Sequence, residues 1–261
     1  MQIKRPHPAL NFAKAQLRSV HMMGEEFAVW MAPDIDALLN DFIETTESHG
    51  AELGEQRCPF GAVLWPSARA LWQWLNESEE RWQLVARRKD DTQINAIELG
   101  SGVGFFAALL GANTRWSVTA SDYEPAYADY LHANCLLHKS PRLPFLTLDW
   151  LEPAAEALKK KFDLVIACDV FYDDSHLMNV PRIAVELLKP DGTLLLADPE
   201  RFRFRTALDL LRKHFSSVTL HNTSIDHTPE EAQSTGVVNP RVLSTSVQIV
   251  HCQNPLTPPA G

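Results

Sequence analysis

IELGSGVGFFAALL, residues 97–110, decides the fold: the end of an apolar strand, a loop with Gly100, Gly102 and Gly104, and the start of an apolar helix. A strand, a glycine loop and a helix in that order let the backbone approach a ligand closely at the carboxyl edge of an open sheet. Outward from this unit the pattern alternates. INAIEL (94–99), WSVTAS (116–121), FLTL (145–148), FDLVIAC (162–168) and TLLLAD (193–198) read as strands, and helical periodicity fills 103–112, 124–138, 174–188 and 204–215. Alternation with continuous apolar strands predicts an α/β fold, a doubly wound and mostly parallel sheet buried on both faces. SSVTL and VLSTSVQIVH, flanking the polar stretch 221–241, predict a closing hairpin with no helix inside it, so the last strand should be antiparallel.

The N-terminal stretch reads differently. SVHMMGEEFAVWMA (19–32) predicts two short strands around a Gly-Glu turn, and PDIDALLNDFIETT a helix with Asp34 near its start. A small α/β appendage over residues 1–60, a main domain over 61–252 and a loose tail over 253–261 are the expected divisions. Pro66 suits a first helical turn in LWPSARALWQWL, where Leu71, Trp74 and Leu75 make an apolar stripe.

Composition narrows the class. With 261 residues, 45% of them hydrophobic, the chain can bury a large core. No apolar run approaches the roughly 18 to 20 residues of a membrane span, so no membrane partner is expected. The formal charge of −9 argues against a nucleic-acid partner, because Lys and Arg supply most non-specific affinity for phosphate. Cys58, Cys135, Cys168 and Cys252 are scattered without a CxxC pair, which suggests neither a zinc site nor a disulfide framework and fits a cytoplasmic protein; a monomer is expected. The first acid is Glu25, so residues 1–18 also permit a transit peptide and a mitochondrial matrix location, although Pro6 and Pro8 interrupt an early amphipathic helix.

The glycine loop has the spacing GxGxG; Phe105 stands where a dinucleotide site would place its third glycine. Glu98 would repel a pyrophosphate and suits a ligand carrying an ammonium or sulfonium group, which favours S-adenosylmethionine over NAD. A tight turn without a ligand is the bland alternative. Asp122 ends the second strand about twenty residues on, where a carboxylate accepts from both ribose hydroxyls, or else caps the next helix. Trp150 and Asp149, in LDW, could meet the adenine face and its amino group. Trp150 and Trp65 could equally be rim residues packed on helices.

ACDVFYDD, residues 167–174, sets three aspartates around an aromatic pair after a buried strand. Together with LWPSARALWQWL, IELGSGVGF, TASDYEP and LDW it resembles the class I, seven-strand S-adenosylmethionine-dependent methyltransferases, in the branch that methylates protein lysines. The pairs LWP...AL, DVFYDD and ADPxR make it most similar to members acting on the electron-transfer-flavoprotein β-subunit and to their bacterial relatives. The resemblance covers about residues 60–250. It implies a seven-stranded Rossmann-like sheet, cofactor contacts at Trp65, Gly100, Ser101, Gly102, Asp122, Trp150 and Cys168, and Asp169 and Tyr172 facing the acceptor. It also implies a protein substrate. Pro66 replaces an acid common in lysine-methylating relatives, and Glu200 stands where the flavoprotein-directed members look glycine-like.

Such chemistry must present a lysine amine neutral, at a cost of roughly 4.6 kcal/mol at pH 7 for a group of pKa about 10.4. Desolvation and aromatic walls, expected at Phe171, Tyr172 and Trp65, lower that cost, and Asp169 would orient the amine. Asp173 and Asp174 read as caps of the following helix. Arg201, Arg203 and Arg205 read as a grip for an acidic partner or as a solvated face. A methyltransferase for RNA or a small molecule, and a non-catalytic scaffold of the same fold, are the competing readings. No Asn-Pro-Pro-Tyr sequence, the mark of planar amino acceptors in related families, is present.

Overall fold

The computed structural model describes residues 12–33, 35–48, 58–86, 93–234 and 243–256. Residues 1–11, Asp34 and 257–261 lie outside these, and with them most of the transit-peptide expectation, the helix-start aspartate and the end of the tail.

The chain opens with an antiparallel hairpin, β1 (Gln16–Met22) and β2 (Glu25–Met31), followed by α1 (Ile35–Ser48). Then come α2 (Pro66–Asn76), with Pro66 at its first position, and α3 (Glu79–Ala86). The alternating region gives β3 (Asn95–Leu99), α4 (Phe105–Asn113), β4 (Ser117–Asp122), α5 (Tyr127–Leu137), β5 (Phe145–Thr147), β6 (Phe162–Cys168), α6 (Asp174–Leu187), β7 (Leu188–Asp198) and α7 (Phe204–His214). β8 (Phe215–Asp226), α8 (Pro229–Ser234) and β9 (Ser244–Pro255) complete it.

Seven strands form one sheet in the order β5-β4-β3-β6-β7-β9-β8, with β9 antiparallel to both neighbours and the pairs from β5 to β7 parallel. Alternate residues serve two cores, as strand geometry requires. Ala96, Leu164, Ile166 and Leu195 join α2, α4 and α5 on one face; Ile97, Leu99, Val165 and Leu196 join α6 and α7 on the other. Chain order reverses between β3 and β6, which opens a crevice at their carboxyl ends.

Expectations for the stretch after β8, for β7 and for the tail are corrected. The N-terminal hairpin packs on the main core: Val20, Met22, Val29 and Met31 belong to the cluster of α2, α4 and α5. Buried Asn134 of α5 ties it there, accepting from the Trp30 amide at 2.8 Å and donating to the carbonyls of Trp30 and Val103 at 3.0 and 2.8 Å. The polar stretch after β8 does contain a helix, α8, because Thr228 and Glu231 form a capping box: the Thr228 amide donates to Glu231 Oε2 at 2.6 Å, and the Glu231 amide to Thr228 Oγ1 at 3.2 Å. β7 begins at Leu188 rather than 193, because its pairing with β6 shifts register between Phe162 and Leu164 and so absorbs Pro190 and Gly192. β9 runs to Pro255, so residues 253–255 are strand and not loose tail.

Candidate active site

A cavity of about 240 Å³ opens at the crevice between β3 and β6. Of the residues singled out in the sequence, Trp65, Gly100, Asp122, Trp150, Cys168, Asp169 and Tyr172 line it. Glu98, Ser101 and Gly102 border a smaller adjoining cavity of about 40 Å³. Asp149 lines neither cavity: its Oδ1 accepts from the Leu151 amide at 3.1 Å and so closes the turn after β5.

The glycine loop is packed by protein. Gly102, at φ +48°, would place a Cβ 2.4 Å from the Gly61 carbonyl oxygen, so the turn at 60–62 uses the space that glycine leaves. Glu98 is buried beneath the loop and accepts from the Ala107 amide at 3.0 Å, satisfying a first-turn donor of α4. Asp122 accepts from the Gly102 amide at 3.0 Å and does not cap α5, which begins after Ala126. Burial pushes Glu98 up to about 8 and Asp122 up to about 7.

Asp169 follows β6 in a left-handed backbone conformation, φ 57°, that turns its side chain into the crevice. Its Oδ2 accepts from the Ser67 amide in the first turn of α2 at 2.9 Å, and its Oδ1 from Arg201 Nη2 at 2.7 Å. Burial raises its pKa, and the Arg201 guanidinium opposes that rise. Arg201 also approaches Asp198 Oδ2 at 3.4 Å, lines the cavity and stands 5.5 Å from the centre of the Trp65 ring. It is the cationic member of the site that sequence reasoning left among surface arginines. Its signal was position, three residues beyond the acid that ends β7, beside the strand that carries Asp169.

The aromatic wall also differs from expectation. Phe171 is fully buried in the core under α6, because the residue after Val170 points away from the crevice. Phe60 takes its place, edge-on to Trp65 at 6.0 Å and to Tyr172 at 5.7 Å. Trp65 Nε1 donates to the Phe60 carbonyl at 2.8 Å, which fixes the wall. Tyr172 stacks edge-on upon His176 at 4.6 Å; His176 donates from Nδ1 to the Val170 carbonyl at 2.8 Å, since a carbonyl only accepts. Asp173 caps α6 through the Ser175 amide at 2.8 Å, and Asp174 opens that helix. Among the described residues no cluster of His, Cys, Asp and Glu could hold a metal ion, and no helix is long and apolar enough to cross a membrane.

This sheet order, with an acid-lined cavity at the point where it reverses, defines a Rossmann-like α/β protein. The chain belongs to the lysine methyltransferase family, whose sequence profile matches residues 51–213. It is 28% identical over 155 residues to the electron transfer flavoprotein beta subunit lysine methyltransferase of Rattus norvegicus, covering 59% of this chain and 56% of that one. Over 134 residues it is 29% identical to protein N-lysine methyltransferase METTL21A of Mus musculus, covering 49% and 60%. The chain thus spans a little over half the length of these curated relatives. Among solved structures, the N-methyltransferase NodS of Bradyrhizobium japonicum WM9, in complex with S-adenosyl-L-homocysteine, aligns at 17% identity and TM-score 0.46, covering 70% of this chain and 91% of that one.

Proposed function

We propose that this protein is an S-adenosylmethionine-dependent methyltransferase that modifies a lysine side chain of a protein substrate. The observation that carries the reading is one cavity lined by Asp122 and Trp150 on one side and by Asp169, Tyr172 and Trp65 on the other. Family membership supports the same acceptor.

The residues present fit the cofactor. Ser101 Oγ and Trp150 Nε1 are buried without a hydrogen-bond partner among the described residues, so a polar ligand would satisfy both. Asp122 and Glu98 are carboxyls that burial holds near neutrality, and a cationic ligand would favour their ionised forms. Gly100, Ser101, Asp122 and Trp150 would hold the group, with Cys168 against it. When bound, S-adenosylmethionine supplies an electrophilic methyl group on a sulfonium.

The chain's own residues do the rest. Phe60, Trp65 and Tyr172 exclude water from the acceptor side, which favours the neutral amine and still tolerates a methylated cation. Both Asp169 oxygens already accept one hydrogen bond, yet each keeps a further lone pair for an amine. Arg201 opposes the protonation that burial favours and aims that carboxylate. Positioning in a dry cavity then provides much of the acceleration. We place this activity in the cytoplasm, consistent with four free cysteines, with the mitochondrial matrix as the alternative.

Calorimetry with S-adenosylmethionine should show binding, and absence of binding would remove the enzyme readings together. Labelled cofactor in a cell lysate should leave its methyl group on protein lysine, read by mass spectrometry. Label confined to RNA or small molecules would overturn the lysine assignment.

A further inference from the structure

The rim of the cavity carries side chains that the chemistry inside it does not use. Phe202 follows the cavity-lining Arg201 and is 99% exposed. Tyr172, itself part of the lining, is 38% exposed, and Leu151, next to the lining Trp150, is 44% exposed. The three stand after β7, β6 and β5, at the carboxyl edge where the cavity opens. Arg203 pairs with Asp174, which joins the segments after β6 and β7 and sets Phe202 and Tyr172 on one rim. Large apolar side chains collected around a functional opening mark a contact surface.

The charges on this rim are mostly negative. Glu152, Asp173, Asp174 and Glu200 are exposed there, against Arg203 and Arg205. Arg201 is engaged by Asp169 and Asp198, and Arg203 by Asp174. Ser175 hydrogen bonds hold the Asp173 pKa below its ordinary value, which keeps that charge in place. Of the three arginines read from the sequence as a grip or a solvated face, Arg201 and Arg203 are thus engaged by acids of the chain itself.

We propose that this rim docks the substrate segment that bears the lysine, and that the segment is basic with a bulky apolar residue beside that lysine. Phe202 and Tyr172 cover the apolar residue, and the exposed acids Glu152, Asp173 and Glu200 meet the flanking cations, which favours encounter and register. This inference rests on the lysine-methyltransferase reading above.

The test uses the full chain, labelled S-adenosylmethionine and four lysine-centred peptides that differ only in flanking charge (Arg or Glu) and in one neighbour (Leu or Ser). The Arg-flanked, Leu-bearing peptide is expected to show a kcat/KM about tenfold above its Glu-flanked twin, a difference of about 1.4 kcal/mol. Phe202→Ser should raise KM for the Leu peptide several-fold, with kcat and cofactor affinity unchanged, and Glu200→Gln should narrow the charge preference. Methylation indifferent to flank and neighbour, or an unchanged KM in Phe202→Ser, would overturn the docking surface while leaving the activity standing. Sedimentation showing a dimer that Phe202→Ser dissolves, with peptide KM unchanged, would reassign the patch to self-association. Cofactor binding without lysine label in any peptide or in lysate protein would remove the activity and this inference with it.

Discussion

Arg201 Nη2 lies 2.7 Å from Asp169 Oδ1, across the gap between the segments that follow β7 and β6. The same guanidinium serves Asp198, whose carboxyl burial pushes up to about 7, so two buried acids share one cation. Replacing Arg201 by Met leaves both acids without it. The expected loss is about 2–3 kcal/mol, below the range for a fully buried pair because Arg201 is partly exposed. Urea unfolding measures it, and Arg201→Lys should recover only part, since an ammonium lacks the fork that reaches two carboxylates.

Asp122 and Glu98, with Asp198, make the cofactor-free protein's stability pH-dependent, against a smaller opposite contribution from His227. The folded pKa values of Asp122 and Glu98, about 7 and about 8, lie above the unfolded carboxyl values of roughly 4. The folded state therefore binds more protons between about pH 4 and pH 8, so stability falls as pH rises through that window. Thermal unfolding should give a higher Tm at pH 5 than at pH 8, and Asp122→Asn should flatten the slope. Cofactor affinity should run the opposite way, about tenfold weaker at pH 6 than at pH 8, because a cationic ligand favours the ionised carboxylate. Calorimetry at the two values decides it.

Gly102→Ala tests how tightly the loop is packed. The new methyl meets the Gly61 carbonyl in a left-handed backbone position, so the turn at 60–62 must move. A stability loss above about 2 kcal/mol is expected, with cofactor binding lost through displacement of the neighbouring loop. An alanine variant with wild-type Tm and affinity would show that the turn yields freely.

Arg69 is fully buried on α2, two residues beyond the amide that holds Asp169. Its guanidinium donates to the carbonyls of His21 and Asp226, approaches Glu231 at 3.4 Å, and meets His227 Nδ1 at 3.0 Å. Burial and the adjacent guanidinium push His227 down to about 4, so it is neutral and accepts. Arg69→Met removes the buried cation beside Glu231, which keeps the amides of Thr228 and His21, and should cost about 3–5 kcal/mol. Glu231→Gln added to it should return a good part, and a double-mutant cycle in denaturant gives the coupling.

The periodic core was legible because its signals are local. The helix read over 204–215 is α7 at Phe204–His214, and the strand read over 162–168 is β6 to the residue. Asp122 and Trp150 reach the cavity because a strand end fixes where the next side chain goes. α8 had a signal too, Thr228 and Glu231 at capping-box spacing, but six helical residues give no periodicity to read. Arg201 was invisible for another reason. Its partner Asp169 is 32 positions away, and only the adjacency and register of β6 and β7 bring them together. Phe171 misled because alternation along an extended strand breaks at Asp169, where positive φ redirects the chain.

β9 sits between β7 and β8 although it is made after both. During synthesis, the outer edge of β7 and all of β8 must therefore wait, unpaired, until Ser244–Pro255 leaves the ribosome. The right half of the sheet forms by filling a gap rather than by adding to an edge, so a nascent chain stopped before residue 243 offers the open edge of β7 and an unpaired β8 to chaperones and proteases. Ribosome-arrested chains of increasing length, challenged with protease, should lose cleavage within β8 only once β9 has emerged.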